Sequence, residues 1–288
     1  MKKLLCATDL SKRSDRAMRR AANLAQQHGA GLLLLHVVDD DQPHHIIEAR
    51  QAEARAHLEA QAASLPGGHG AIAAIEVVAG NAFESIARYA REWNAELIVM
   101  GAHRRRALAD VFIGSTLERV LRADGVPVLV VNTDEHGPYR DVLLALDVSP
   151  ASARAVQAAR ELGLLDGDIS VVHAFDAVFT GALEGSGASA EEVRAYRDAW
   201  EREARARLRA FLATGDLADR RVELTVDSGS PFDAIHQAVL QQEPQLLVVG
   251  TRGLTGLKRV FLGSVADRVL REIECDILAV PPPRAAQR

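Results

Sequence analysis

An internal repeat constrains the fold of this chain more than any other feature of its sequence. Five segments of the first half recur in the same order in the second half of the 288-residue chain. The matching segments are 4–11 and 143–150, 32–39 and 169–176, 77–90 and 226–239, 95–102 and 244–251, and 126–131 and 275–280. Self-similarity over such a long period indicates two copies of one folding unit.

Each copy is large enough to fold as a domain with its own core, because a chain of this length fits about two domains of roughly 150 residues each. We predict one domain over residues 1–134 and a second over residues 139–283. The join lies at NTDEHGPY, residues 132–139, where charged and turn-forming residues interrupt the apolar pattern.

Within each copy, short apolar runs alternate with longer stretches of helical period. This alternation is typical of βαβ units around a buried parallel sheet, so the predicted class is α/β with two doubly wound domains. The first helix of copy one is expected to begin after the N-cap Ser11 and to end near Gly29. In copy two, Ser149 is the expected cap, Pro150 the first helical residue and Gly163 the terminator.

The second helix of each copy, predicted over roughly residues 44–64 and 189–213, is rich in Ala, Arg and Glu. Such an arginine-lined face can bind an anionic surface. A solvated face with ion pairs between residues four apart is the favoured interpretation. We therefore assign no function to these helices.

Composition and charge exclude several classes of function. A net charge of −5 and a pI near 6.1 leave no overall basic field for nucleic acid or for an anionic membrane surface. The first apolar run is too short for a signal peptide, and no run reaches the roughly 18 residues of a membrane span. Cys6 and Cys275 lie in apolar runs, where reduced, buried thiols are expected. We predict a cytoplasmic protein with no nucleic-acid or membrane partner.

A spaced glycine frame follows one apolar run of the second copy, in LLVVGTRGLTGLKRVFLGS. Gly250 ends the predicted strand, Gly253 follows, and Gly263 with Ser264 opens the next helix. Glycines permit positive φ and close approach of peptide N–H groups to an oxyanion, and a helix N-terminus favours phosphate. The frame fits neither the Walker A nor the dinucleotide-binding motif, and tight turns without a ligand are the alternative interpretation.

Groups from two other strands are expected beside this frame. Asp147 ends the first predicted strand of the second copy, and Ala174 and Phe175 end the next one. Because parallel strands present their carboxyl ends at one edge of a sheet, these residues should converge with the glycine frame at one ligand site. Capping of the next helix beside Ser149 is a second role for Asp147, and the two roles are compatible.

On these residues the chain resembles the universal stress protein family in its tandem form. The resemblance rests on ALDVS, on VHA and on the pattern G-x2-G-x9-G-S, and it covers nearly the whole chain in two copies. It implies a five-stranded parallel sheet in each copy, like that of the adenine-nucleotide alpha-hydrolases, and ATP binding where the pattern is complete. It also implies that the last strands of the two copies pair, so that the halves dock as an intramolecular pseudo-dimer. A homodimer of the whole chain stays open.

The resemblance further implies a role for each matching residue of the second copy. Asp147 and the backbone of Ala174 would lie at the nucleoside end of bound ATP or ADP. The residues expected along the phosphates are Gly250, Gly253, Gly263, Ser264 and Val265. A Mg²⁺ ion held by the phosphates, without metal ligands from the protein, is implied as well.

The first copy departs from this pattern at one glycine, because Arg104 stands in its place inside HRRR, residues 103–106. A side chain there makes ATP binding doubtful and leaves three interpretations: arginines that fill the site, a clamp for another anionic ligand, or a solvated loop. The residues of this weaker second anion site are Asp9, Val37, Gly101, Arg104, Gly114 and Ser115. Histidines at positions 44, 45, 57, 69 and 103 follow no metal-ligand spacing.

The predicted function is that of a regulatory protein that binds ATP or ADP in its C-terminal domain and acts on an unidentified protein partner. Its role in a stress response is implied by the resemblance. A dedicated enzyme is not indicated, because no catalytic constellation stands out, while slow ATP hydrolysis stays open. Two alternatives remain: a binder or enzyme that acts on a phosphorylated metabolite or lipid through residues 104–106, and a purely structural pseudo-dimer.

Overall fold

A computed structural model describes residues 1–102, 116–123, 125–134, 137–175, 189–213, 217, 222–252 and 262–283. The strands are β1 (Lys3–Thr8), β2 (Gly31–Val38), β3 (Ile72–Ala79), β4 (Leu97–Gly101), β5 (Val128–Val131), β6 (Asp141–Ala145), β7 (Asp168–Phe175), β8 (Val222–Ser228), β9 (Leu246–Gly250) and β10 (Asp276–Val280). The helices are α1 (Lys12–His28), α2 (His44–Ser64), α3 (Ala82–Trp93), α4 (Thr116–Ala123), α5 (Pro150–Glu161), α6 (Ala190–Ala213), α7 (Pro231–Gln242) and α8 (Ser264–Glu272). Within these ranges no helix combines the length and the apolar composition needed to cross a bilayer.

The strands of the described residues form a single ten-stranded sheet in the order β3-β2-β1-β4-β5-β10-β9-β6-β7-β8. Each half contributes five neighbouring parallel strands in the same internal order. Antiparallel pairing of β5 with β10 joins the halves, with Leu129 opposite Leu278. This arrangement confirms the predicted fold: two α/β domains with five-stranded parallel sheets, docked as a pseudo-dimer.

Apolar side chains on both faces of the sheet form the core, as expected for parallel strands that helices cover on both sides. One face packs against α1, α2, α5 and α6, where Leu4, Leu58 and Leu208 are fully buried. The other face packs against α3, α4, α7 and α8, where Leu5 and Val269 are fully buried. Both cores run from one half into the other, so the halves share their apolar interior.

The predicted boundaries of the first helix in each half are confirmed. The Ser11 side chain caps α1, and Gly29 ends this helix in the left-handed conformation at φ 59°. The Ser149 side chain caps α5, which begins with Pro150. Gly163 follows the end of α5 with φ 68°. Local capping and terminating residues therefore set these helices, as their sequence signals indicated.

The second helices, α2 and α6, lie over the outer strands of the sheet. Arg55 of α2 donates from Nη1 to the carbonyl of Ile75 in β3 at 3.0 Å, and Arg205 of α6 donates to the carbonyl of Leu224 in β8 at 3.2 Å. Arg205 also pairs with Glu201, four residues earlier, at 3.0 Å. The arginine-rich faces thus form ion pairs and also donate hydrogen bonds to carbonyls of the outermost strands.

Both cysteines are buried in the sheet region. Cys6 lies in β1 and Cys275 directly precedes β10, and neither forms a disulfide. Burial raises the pKa of each thiol to about 12. The expectation of reduced, buried thiols is confirmed, and both are poor nucleophiles at neutral pH because they are not ionised there.

The seam between the halves contains a buried charged cluster of Arg20 from α1, Tyr139 from the join and Asp276 from β10, which we call the seam cluster. Asp276 is fully buried, and its Oδ1 accepts hydrogen bonds from the N–H groups of Asn132 at 2.9 Å and Thr133 at 3.0 Å. Its Oδ2 accepts a hydrogen bond from the Tyr139 hydroxyl at 2.7 Å and lies 3.3 Å from Nε of Arg20. The join is therefore fastened to both halves and is not a free linker.

Among the residues that the structure describes, the other side of the seam has no such cluster. The repeat places Met1, Pro127 and Ala158 where the seam cluster has its tyrosine, aspartate and arginine. These three residues line a cavity of about 460 Å³. The two sides of the seam thus correspond in position, but one is filled by charged and aromatic side chains and the other is a cavity.

Candidate functional site

The carboxyl edge of the C-terminal half brings predicted site residues from three strands together. β6 lies between β7 and β9, so the chain segments that leave these strands begin side by side. Asp147 follows β6, Ala174 is the next-to-last residue of β7, and Gly250 is the last residue of β9. The chain continues from β6 to a helix on one face and from β9 to a helix on the other. Such a divergence opens a crevice at the edge of the sheet.

Asp147 is held in place by the start of α5. Its Oδ1 accepts hydrogen bonds from the N–H of Ser149 at 3.1 Å and from the hydroxyl of Ser152 at 2.6 Å, and it also bonds the Ser149 hydroxyl. The N–H of Asp147 donates to Oγ of Ser152 at 2.9 Å. The structure thus shows the capping role. Among the described residues no hydrogen bond reaches Oδ2, which leaves this oxygen as an acceptor for a ligand.

Asp9 has the same arrangement in the N-terminal half. Its Oδ1 accepts hydrogen bonds from the N–H of Ser11 at 3.0 Å and from the hydroxyl of Ser14 at 2.5 Å. Burial by itself raises the pKa of Asp9, but the hydrogen bonds from the two serines and the charge of Arg13 outweigh burial, so the pKa is lower than usual. The Asp9 carboxylate is therefore ionised at neutral pH.

A strained residue follows each of these aspartates. Leu10 and Val148 adopt the left-handed conformation at φ 61° and 59°. Residues with a branched side chain rarely adopt it, and the strain costs about 1–3 kcal/mol. The same strained conformation at matching positions indicates that this turn belongs to the repeated unit. The turn redirects the chain from strand to helix and keeps the aspartate at the edge of the sheet.

A histidine near the end of the second strand binds the first strand in both halves. In β7, Nδ1 of His173 donates to the carbonyl of Leu146 at 2.7 Å, and in β2, Nδ1 of His36 donates to the carbonyl of Thr8 at 2.9 Å. A carbonyl oxygen only accepts, so Nδ1 carries the proton in each ring. The two carbonyls directly precede the two aspartates. No role was expected for these histidines, although their matching positions in the repeat indicate a structural role that both halves share.

The start of α8 is the part of the predicted phosphate end that the structure describes. Gly263 precedes this helix and donates its N–H to the carbonyl of Thr251 at 2.9 Å, and no side chain caps the helix. Ser264 is exposed and Val265 is half-buried. The first-turn N–H groups therefore lack a side-chain acceptor, and the helix dipole favours an anion beside them. Gly253 lies outside the described residues.

Gly250 is required by packing and not by its backbone conformation. A Cβ on Gly250 would lie 3.3 Å from the carbonyl oxygen of Ala151 in α5, and a Cβ on Gly101 would lie 2.9 Å from that of Arg13 in α1. Neither glycine has positive φ. The positive φ that glycine permits is therefore not used at Gly250, where the missing side chain makes room for the start of a helix against the strand end.

The N-terminal half has a cavity of about 490 Å³ beside the equivalent edge. It is lined by Leu10, by His36 and Val37 of β2, and by Arg50 and His57 of α2. Small-molecule sites usually measure about 300–1,000 Å³, so the cavity is large enough for a metabolite. A preformed cavity therefore accompanies the half in which the glycine frame is incomplete.

Three of the six residues predicted to form an anion site in this half are described. Asp9 follows β1, Val37 lies in β2 and Gly101 ends β4, so all three are at the carboxyl edge. The other three, and their neighbours, lie outside the described residues: Arg104, Gly114, Ser115, His103, Arg105 and Arg106. Within the ranges that the structure describes, no group of three or more His, Cys, Asp or Glu side chains is arranged to hold a metal ion.

Comparisons with known proteins extend over both halves. The model of the universal stress protein family matches residues 1–132 and 138–281. A universal stress protein of Mycolicibacterium smegmatis is 29% identical over 296 residues, and the match covers 97% of this chain and 97% of that protein. A universal stress protein of Thermus aquaticus is 32% identical over 151 residues, 49% of this chain and 98% of its own length. The crystal structure of a universal stress protein from Archaeoglobus fulgidus has a TM-score of 0.69 at 21% identity, over 97% of this chain and 98% of that chain, which shows a shared fold.

Proposed function

Because the chain belongs to the universal stress protein family, a family of stress-response proteins, we propose that its C-terminal half binds ATP or ADP and thereby regulates a protein partner. The observation that carries this proposal is the strand order at the carboxyl edge of β6 and β9, where the order of the half reverses. Ligands of open α/β sheets bind at such switch points. Asp147 and the uncapped start of α8 lie at this edge.

The groups at the two ends of the crevice suit the two ends of a nucleotide. The carboxylate of Asp147 accepts hydrogen bonds from donors of the nucleoside, beside the backbone of Ala174. The first-turn N–H groups of α8 and the hydroxyl of Ser264 donate to phosphate oxygens, and the helix dipole adds to this attraction. A Mg²⁺ ion held by the phosphates would offset part of their charge.

We propose a binding and regulatory role for this site. Asp147 uses one carboxylate oxygen to fix the start of α5 and presents the other as an acceptor for the ligand. A nucleotide in the crevice would contact the segments that lead to α5 on one face and to α8 on the other. Its presence could therefore alter how these two helices are held, which a partner can recognise. We place this activity in the cytoplasm, where buried thiols stay reduced.

The test exchanges the residue that distinguishes the two halves. Gly253→Arg introduces the side chain of position 104 into the C-terminal frame, and Arg104→Gly makes the reverse change. Calorimetry of the full chain with ATP and Mg²⁺ should show binding by the wild type and its loss in Gly253→Arg, with an unchanged circular dichroism spectrum. Arg104→Gly is the matched control and should retain the C-terminal site. A wild-type protein with no measurable nucleotide affinity would overturn the proposal.

A second ligand, in the N-terminal half, is favoured by the cavity of about 490 Å³ beside Val37. Arg50 lines this cavity together with Asp39 and Glu53. Arg50 can pair with the phosphate of a metabolite, while Asp39 and Glu53 can accept hydrogen bonds from its hydroxyl groups. Mass spectrometry of small molecules extracted from the purified protein should detect a non-nucleotide phosphate that is lost in Arg50→Ala. The same extract from both proteins would contradict this second site.

A further inference from the structure

We infer that His173 is a positioning residue of the C-terminal nucleotide site. By binding the carbonyl of Leu146, it joins the end of β7 to the segment that carries Asp147 and so sets the position of the Ala174 backbone beside that aspartate. This inference rests on the proposed nucleotide binding. It adds to the site a residue that lies outside the glycine frame.

One side-chain hydrogen bond joins the two strands that bear the nucleoside end of the site. His173 is buried, and its Nδ1 donates to the carbonyl of Leu146 at 2.7 Å. Leu146 directly precedes Asp147, and His173 directly precedes Ala174. The bond therefore sets the spacing between the carboxylate and the backbone group that are expected to contact the nucleoside.

The backbone pairing of the two strands ends one step before this bond. Pairing between β6 and β7 ends at Ala145 and Val172, although Leu146 still donates its N–H to Val172 at 3.0 Å. In a parallel ladder the next bond would run from the N–H of Ala174 to the carbonyl of Leu146. Among the described residues that bond is absent, so the side chain of His173 supplies the donor to this carbonyl. The N–H of Ala174 thus faces the side of β7 from which the chain of β6 has turned away.

The N-terminal half lacks this opening, although it has the same histidine. Nδ1 of His36 donates to the carbonyl of Thr8 at 2.9 Å, yet pairing between β1 and β2 continues to the pair of Thr8 and His36. That additional pair uses the N–H of Val37 within the ladder. The ladder therefore closes one step later in the half whose glycine frame is incomplete.

Hydrogen exchange of backbone amides tests this arrangement without any ligand. In the wild type, the amide of Ala174 should exchange faster than that of Val37, because only the latter is bonded within the sheet. In His173→Leu, the two strand ends lose the side-chain bond that joins them, so the amide of Leu146, which donates to Val172, should exchange faster than in the wild type. Equal protection of the Ala174 and Val37 amides in the wild type, or an unchanged Leu146 amide in His173→Leu, would overturn the inference.

Nucleotide affinity tests the consequence for binding. His173→Leu should weaken binding of ATP with Mg²⁺ roughly tenfold, the effect of one hydrogen bond. His173→Asn should stay within about threefold of the wild type, because the asparagine Nδ2 can donate from nearly the same place as Nδ1. His36→Leu is the matched control in the other half and should leave this affinity unchanged.

Two outcomes would count against the role of His173: wild-type affinity in His173→Leu, or an equal loss in His173→Asn. If His173→Leu does not fold, His173→Gln replaces it, because its amide lies one bond further from the backbone and misplaces the donor. A wild type that binds no nucleotide defeats the proposed function alone, since the exchange experiment still decides whether the histidine joins the two strand ends.

Discussion

After its first strand, each half of the chain places an aspartate, a left-handed residue and a capping serine in the same order. The stacking of Arg119 on Phe83 in the N-terminal half recurs as Arg268 on Phe232 in the C-terminal half. The halves differ where a ligand is proposed to lie, at the glycine replaced by Arg104 and at the last pair of the sheet ladder. The halves thus share the turn and capping residues that follow the first strand, and they differ at position 104 and at the last pair of the sheet ladder.

The two sides of the seam also differ, because the join crosses between the halves on one side only. The seam cluster fills one side, where the join crosses between the halves, and a cavity of about 460 Å³ occupies the other. A single connecting segment joins the two copies, so the residues of this segment can pack on one side of the seam only. The contacts on the two sides of the seam therefore differ, even though β5 and β10 pair symmetrically across it.

The largest effect is expected from breaking the seam cluster. Arg20→Met leaves the Asp276 carboxylate buried without its cation, and Asp276→Leu leaves the guanidinium of Arg20 unpaired. Loss of one partner of a buried ion pair costs about 3–5 kcal/mol, so each variant should lower the free energy of unfolding by about that amount. Urea denaturation followed by circular dichroism measures this change.

Two controls sharpen the comparison between the sides of the seam. The double variant Arg20→Met and Asp276→Asn removes both charges but keeps an oxygen acceptor for the N–H groups of Asn132 and Thr133, so it should recover much of the lost stability. Ala158→Met alters the matching position beside the cavity and should change stability by about 1 kcal/mol or less, because the side chain has space to enter. A double variant as unstable as the worse single variant would contradict the paired-charge explanation.

A smaller effect, limited to binding, is expected from the two aspartates. Asp147→Asn removes the charge that is proposed to face the nucleoside, and affinity for ATP with Mg²⁺ should fall roughly tenfold to a hundredfold. Asp9→Asn makes the same change in the other half and should leave this affinity unaltered. Calorimetry of both variants provides the measurement. Equal losses in the two variants would show that the halves do not differ in nucleotide binding.

The smallest effect concerns the pH dependence of stability. Burial and the adjacent charge of Asp276 raise the pKa of Tyr139 well above 10. The folded protein keeps the phenol proton at a pH where the unfolded chain releases it, so stability should fall as pH rises above about 10. Tyr139→Phe should be about 1 kcal/mol less stable at neutral pH and should show a shallower alkaline decline.

Unfolding in urea at a series of pH values from about 7 to 11 tests this prediction, with attention to other tyrosines and lysines that titrate in the same range. Only the difference between wild type and Tyr139→Phe is informative. The matching position in the N-terminal half is Met1, which does not titrate through its side chain. A parallel alkaline decline in the two proteins would exclude Tyr139 as its source.

Local signals in the sequence located the elements well. Ser11 and Gly29 bound the first helix as expected, and the strand order agrees with the family resemblance. The same approach placed Asp147 and Ala174 at one edge of the sheet, because parallel strands share that edge. It did not foresee that the start of a helix packs against Gly250 and leaves little room for a side chain there.

By itself, the sequence determined that the chain folds as two copies of one α/β unit, because its repeat, apolar runs and caps act over a few neighbouring residues. Only the tertiary structure decided which residues at matching positions of the two copies make the same contacts and which do not. The partners of Asp276 come from α1 and from the join, and the partner of the Leu146 carbonyl is a side chain on the neighbouring strand. Such contacts join residues far apart in the chain, and their strength depends on burial, which no local pattern encodes.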